Sequence, residues 1–375
     1  MRDRPFLLIV ALFAILGGAI VAPPAAAADV PASPADAAEP APLEPFSPQH
    51  LWEMERVSSA VPSPDGTRVV FVLRTTDFED NRGRTDLWTV GVDGTDLRRM
   101  TSNPASDHSP AWTPDGSAIL FLSSRSGSSQ IWSLPVAGGE PRQVTDLDLD
   151  VQGYLPSPDG ERLAIALEVF PDCETVQCTV DRLAERAESN VTAVGYDQLF
   201  VRHWDRWKDG RRSHLHVVPA TGGDPVDVMR GMDADAPTKP FGGMEEVAWT
   251  PDGNGLVFTA RDVGRSEAWS TDFDLYLAPA DGAAAPRCLT EPNEAWDTAP
   301  SFSPDGSMLA YVAMERPGFE ADRLRVILQP WPEGEPRVLT ADWDRSVGGV
   351  TWSPDGETLY ATVGDIGEVK LFAID

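Results

Sequence analysis

Basic residues are scarce in this chain: 30 Lys and Arg stand against 59 Asp and Glu among 375 residues, for a formal net charge of −29. A surface that acidic repels nucleic acid and anionic lipid, which excludes both as partners. Cysteine is almost missing, at three residues, and this excludes a small disulfide-stapled scaffold. Long stretches free of helix breakers are also lacking, because 34 Pro and 31 Gly punctuate the chain. Long helices are therefore excluded, and many short strands joined by tight turns are expected. With 42% hydrophobic residues the chain is not disordered. An all-β reading follows.

The N-terminus reads as an export signal. Arg2 and Arg4 precede an apolar run from Phe6 to Ala22, and Ala25 to Ala28 offer small-residue cleavage sites. Residues 1–28 are assigned to the signal peptide. Cleavage places the chain in the periplasm or outside the cell, with no stable membrane insertion; an uncleaved anchor is the other reading of the same run. Loss of Arg2, Asp3 and Arg4 removes a net +1, so the mature chain carries about −30. Residues 29–45 are rich in Ala and Pro, the composition of an extended linker.

Cys173 and Cys178 are the only cysteines close in sequence. They form a small-loop disulfide, as an oxidising compartment allows, or remain free thiols; without a His or a second Cys pair they supply too few ligands for zinc. Cys288 lies in an apolar strand pattern and reads as a buried small hydrophobe. No metal or cofactor is expected.

The strongest pattern is Ser/Thr-Pro-Asp-Gly, starting at Ser63, Thr113, Ser157, Thr250, Ser303 and Ser353. Pro presets φ, Asp bonds its own backbone and Gly takes a positive φ, so each copy is a hairpin turn. A β-branched or aromatic run follows each turn, such as Val69 to Leu73 or Ile119 to Leu122. Next comes an aliphatic residue beside an aromatic or long one (Leu87-Trp88, Ile131-Trp132, Leu215-His216, Leu275-Tyr276). A closing strand is expected to end at Met100-Thr101, Val144-Thr145, Leu289-Thr290 and Leu339-Thr340, with Val228-Met229 at the same place in the third unit. Four strands at this period are the form of a β-propeller blade. Trp112, Trp249, Phe302 and Trp352 precede the turns and are expected to pack between blades. The third unit carries an insertion over 171–212, with a short helix expected from Val180 to Ser189.

The whole pattern resembles the exported propellers related to the Tol-system protein and, more closely, the N-terminal propeller of the prolyl oligopeptidase family of serine peptidases, in its bacterial dipeptidyl peptidase and acylaminoacyl peptidase branch. Three segments carry the resemblance: Phe46 to Trp52, an opening helix over 46–56 with Ser47 as N-cap and Pro48 at its first turn; Phe170-Pro171-Asp172-Cys173 with Cys178; and Tyr196 to Trp207, followed by Asp209 to Leu215. It implies a seven-bladed propeller joined to an α/β-hydrolase domain that acts on peptide substrates. That domain's Gly-x-Ser-x-Gly elbow is absent from these 375 residues; Gly264-Arg265-Ser266-Glu267-Ala268 comes nearest and ends in Ala. The sixth repeat calls for a closing strand about a dozen residues after Phe372, by the spacing of the earlier repeats, whereas the sequence stops at Asp375. The expectation is five full blades over 57–375, part of a sixth, and a hydrolase domain supplied by a longer parent. A freestanding cell-envelope propeller that binds other proteins is the alternative.

The candidate substrate-binding residues are Arg202, His203, Trp204 and Asp205, a polar and aromatic cluster on the long insertion. The resemblance adds that such insertions help bind the substrate's free N-terminus, which calls for a carboxylate such as Asp205. Asp107, Asp297 and Asp344 are expected to cap loops, His214 and His216 to lie in a strand, and the sequon Asn190-Val191-Thr192 to matter only in a eukaryotic host.

Overall fold

The computed structural model describes residues 45–375 apart from 198, 200 and 205 and the side chain of 203. The expected signal peptide, and all of the expected linker but its last residue, lie outside the described residues. From residue 56 onward six antiparallel sheets follow one another, at 56–99, 107–143, 153–227, 247–288, 297–338 and 347–374. The first five contain four strands each, paired in sequence order, and the sixth contains three. They are the blades of an all-β propeller, as the repeat predicts.

Each Ser/Thr-Pro-Asp-Gly turn closes through the same set of bonds. In the first blade the Ser63 hydroxyl donates to Asp65 Oδ1 over 2.6 Å and accepts from the Arg68 N–H at 3.0 Å. Asp65 Oδ1 also accepts from the Thr67 N–H at 3.0 Å. The carboxylate and hydroxyl contacts recur at Thr113–Asp115, Ser157–Asp159, Thr250–Asp252, Ser303–Asp305 and Ser353–Asp355. Gly66, at φ +68°, completes the first of them in a conformation that a side chain disfavours. Hydrogen bonds from the Ser or Thr hydroxyl and from the backbone pull all six aspartates below their ordinary value, Asp115 to about 2.

The closing strands are shorter than expected, two residues each, and stop before the Thr: Arg98–Arg99, Arg142–Gln143, Arg287–Cys288 and Arg337–Val338. The Thr hydroxyl replaces the next ladder carbonyl. Thr101, Thr145, Thr290 and Thr340 accept from the N–H groups of Leu87, Ile131, Leu275 and Val326 at 2.9 to 3.0 Å. Where the third blade has Met229, its sulfur takes the Leu215 N–H at 3.2 Å.

Five clusters of buried side chains fill the five interfaces between successive blades. Trp112 and Trp249 lie inside them, and Phe302 and Trp352 pack at their margins. The indoles also bond across: Trp112, Trp249 and Trp352 donate to the carbonyls of Val61, Leu155 and Ser301 on the preceding blade, at 3.0, 3.1 and 3.2 Å.

Several local expectations are corrected. The opening helix α1 covers only Pro48–Glu53, because Arg56 already pairs with Arg74 in the first strand and its guanidinium donates to the Leu51 carbonyl. Asp107 and Asp297 each begin the first strand of their blade, are buried, and bind a residue of a neighbouring loop, Arg125 and Asn293. Asp107 is held by Arg125 through two contacts of 2.7 Å. Strand register puts Glu315 where Arg125 stands, two residues past the partner of the buried aspartate, so Asp297 has no matching cation. Burial therefore pushes Asp297 up to about 7, with Asp274 and Asp272 adding repulsion against the bond from Asn293. Asp344 is exposed and pairs with Arg345. Cys288 is half-buried, since the short closing strand lies at a sheet edge.

Two expected outcomes follow from these bonds. Thr145→Val leaves the buried Ile131 N–H without an acceptor and should cost about 1–3 kcal/mol, read as a lower urea midpoint at unchanged m-value. Asp297, raised from 3.8 to about 7, contributes stability that is complete below pH 3.8 and is lost as pH climbs through about 7. Asp297→Asn should accordingly gain thermal stability over the parent chain on going from about pH 5 to about pH 8. An unchanged gap between the two melting temperatures would refute that titration.

Candidate functional site

The third blade departs from the others between its second strand, Arg162–Val169, and its third, Arg212–Pro219. The segment between them carries helix α2, Val176–Glu188, and a hairpin of two short strands, Arg202–His203 and Arg206–Trp207. Helix α2 starts four residues earlier than the expected Val180, because Thr175 is its N-cap and accepts from the Cys178 N–H at 3.2 Å. Cys173 and Cys178 are joined as a disulfide, with Cα atoms 5.5 Å apart, fastening this helix start to the end of the blade strand. Arg182 and Arg186 both lie over the Phe170 ring at 4.5 Å, and Arg182 grips Asp172 through two bonds. Arg186 then reaches the Asp209 carbonyl at 2.8 Å, tying the helix to the strand that returns from the hairpin.

The root of the hairpin is a charged knot around Arg212. Its guanidinium donates to both oxygens of Glu267 at 2.8 and 2.9 Å, to Asp233 at 2.8 Å and to Asp235 at 3.0 Å. Glu267 comes from the fourth blade, so the knot binds the insertion to the neighbouring sheet. Lys208 adds a 2.5 Å contact to the same carboxylate, and Lys239 bridges Glu168 and Asp235. Burial opposes ionisation of Glu267, yet Arg212 and Lys208 hold it down at about 2. For Arg212 burial is again the largest influence, and the surrounding carboxylates reverse it, keeping the guanidinium charged. Among the groups that lower Glu267, Arg212 acts more strongly than Lys208, and burial lowers Lys208 itself.

The hairpin presents two faces. Arg202 and Trp207 are cross-strand partners, and the Arg202 guanidinium lies 5.8 Å from the Trp207 ring while donating to the Trp204 carbonyl. Tyr196 stacks on the same ring at 6.4 Å. Trp204, at φ +50° and 69% exposed, meets Phe241 edge-on at 5.8 Å. A cavity of about 800 Å³ opens beside this aromatic face, bordered by Tyr196, Trp207, Lys208 and Arg211. Two smaller ones, of about 230 and 200 Å³, share Arg206, Glu168, Lys239 and Pro240 in their walls.

Of the residues singled out from sequence, Arg202 and Trp204 stand on this hairpin; Asp205 and the side chain of His203 lie outside the described residues. Arg212, Glu267, Asp235 and Phe241 escaped the sequence reading. One available signal was local charge: Arg202, Arg206, Lys208, Arg211 and Arg212 put five of the 30 basic residues into residues 202–212 of a strongly acidic chain. His214 and His216 are buried strand residues, His214 bonding Asp227 at 3.1 Å, and burial pushes His216 down to about 4. Among the described residues no group of His, Cys, Asp and Glu is arranged to hold a metal ion.

Glu267→Gln should remove one of the three carboxylates on the buried Arg212, leaving Asp233 and Asp235, and cost about 1–3 kcal/mol. Because the native carboxyl is lowered from 4.5 to about 2, its contribution is present above pH 4.5 and lost as pH falls through about 2. Hydrogen exchange of residues 206–212 checks this, since faster exchange there than in the other blades is expected in the variant.

Residues 53–194 match the TolB beta propeller domain family. The chain is 28% identical over 335 residues to dipeptidyl-peptidase 5 of Porphyromonas gingivalis, an alignment covering 88% of this chain and 48% of that protein. It is 31% identical over 291 residues to dipeptidyl-peptidase 5 of Porphyromonas endodontalis, covering 76% of this chain and 40% of that one. Its fold is similar to that of the Pyrococcus horikoshii acylaminoacyl peptidase, with a TM-score of 0.64 at 16% identity over 88% of this chain and 46% of the other. The chain thus spans about half the length of the curated relatives it matches. These likenesses bear out the resemblance to the N-terminal propeller of prolyl oligopeptidase-family peptidases.

Proposed function

We propose that this chain is the propeller portion of an exported serine exopeptidase that releases dipeptides or acylated amino acids from peptide N-termini. The hydrolase domain, with its Ser, Asp and His, and a seventh blade belong in this reading to a longer parent protein. The propeller gates access, and the third-blade hairpin helps position the substrate through Arg202, His203, Trp204 and Asp205. The observation that carries the reading is the hairpin itself: two aromatic side chains held proud of the blade, beside a cavity of about 800 Å³, on a root locked by the Arg212 knot. Binding residues are commonly carried on loops that a rigid scaffold positions beside a concave pocket. Similarity to proteins named dipeptidyl-peptidase 5 supports the substrate class. Export rests on residues 1–28, and no described helix is long and apolar enough to cross a membrane.

The test separates binding from chemistry. The chain should bind short labelled peptides weakly, with Kd of about 0.1–1 mM, and Trp204→Ala should weaken that binding several-fold. It should release no chromophore from dipeptidyl or acylaminoacyl substrates. Serine-reagent-sensitive hydrolysis by the chain itself would overturn the division of labour, and absence of any peptide binding would overturn the substrate-handling role.

A further inference from the structure

We propose that Arg206 is a specificity residue that binds a carboxylate on the peptide substrate, an inference that rests on the peptide-handling reading above. The argument begins with hairpin register. Arg206 stands opposite His203 in the backbone pairing and next to Trp207, so its side chain leaves the hairpin on the face away from the aromatic stack. That face borders the two smaller cavities, and Arg206 lines both of them.

The other cations bordering those cavities are engaged. Lys208 contacts Glu267, Arg211 contacts Asp209 at 2.7 Å, and Lys239 contacts Glu168. Arg206 is exposed and has no ion pair among the described residues. Arg202, one of the four candidate substrate-binding residues read from the sequence, is already turned onto the Trp207 ring and the Trp204 carbonyl. Of the cations bordering the two cavities, Arg206 is the one without an ion pair among the described residues, and it lines both. Its planar fork fits a carboxylate through two parallel N–H donors. Nearby Trp204 and Phe241 offer an apolar ledge, so the matching ligand is a peptide carrying an Asp or Glu side chain, or a free C-terminal carboxylate, close to an apolar residue.

The experiment measures fluorescence anisotropy of the chain with labelled alanine peptides that carry one Phe and one Glu, the Glu placed at each successive position, against matching Gln peptides. A parallel pair compares free with amidated C-termini. The expected result is about tenfold tighter binding of at least one Glu peptide, or of the free-acid peptide, than of its neutral match, an advantage that shrinks at high salt. Arg206→Ala should erase the preference, bringing the charged peptide down to the affinity of its neutral match, and Arg206→Lys should retain only part of it. Equal binding of charged and neutral peptides by the parent chain, or a preference that survives in Arg206→Ala, overturns the assignment and leaves the peptide reading intact. Failure of every peptide to bind overturns both.

Discussion

The propeller depends on one clasp, the Ser or Thr hydroxyl donating to the carboxylate of the Asp two residues on. The same oxygen of that hydroxyl accepts the backbone N–H that opens the second strand, so turn and strand start are fixed together. Every blade repeats the arrangement, and each copy sets where the first hairpin begins and therefore which side chains face the neighbouring sheets. The interblade clusters, the indole bonds and the end of the blade from which the insertion springs all take their positions from it.

The contrast between Asp107 and Asp297 shows what the repeat does not control. Both occupy the same register position at the head of a first strand, and both are buried. One has Arg125 across the hairpin and the other faces the place of Glu315, so equivalent backbones leave one carboxylate paired with a guanidinium and the other without a matching cation. In the insertion the charges are matched again: Arg212 meets Glu267, Asp235 and Asp233, and the hairpin above it is held in place. A loop tied down at its root can present exposed aromatic side chains without collapsing onto them.

How much of this was legible in the sequence follows from the range of each interaction. The turns, the strand after each turn and the place of the insertion could be read because residues a few positions apart decide them; the closing strands were overdrawn by the Thr, which lies past their ends. Helix α2 was misplaced at its start, since the Thr175 cap is a single side-chain bond, accepted from the Cys178 N–H. The extent of α1 was overdrawn because Arg56 joins a strand whose partner is Arg74. The Arg212 knot was missed altogether. Its partners lie 21 to 55 residues away in the chain, and no local pattern announces such a meeting.

The indole bonds between blades share a direction. Trp112, Trp249 and Trp352 each donate to a carbonyl on the blade before, and the Tyr154 hydroxyl does the same toward Ser109. The acceptor always belongs to the segment synthesised first, so each blade offers the following one a backbone carbonyl whose place its own strands fix. The blade seams are in that sense directional: a change to the indole of one blade acts on its junction with the blade before it and leaves the junction with the next to that blade's own donor.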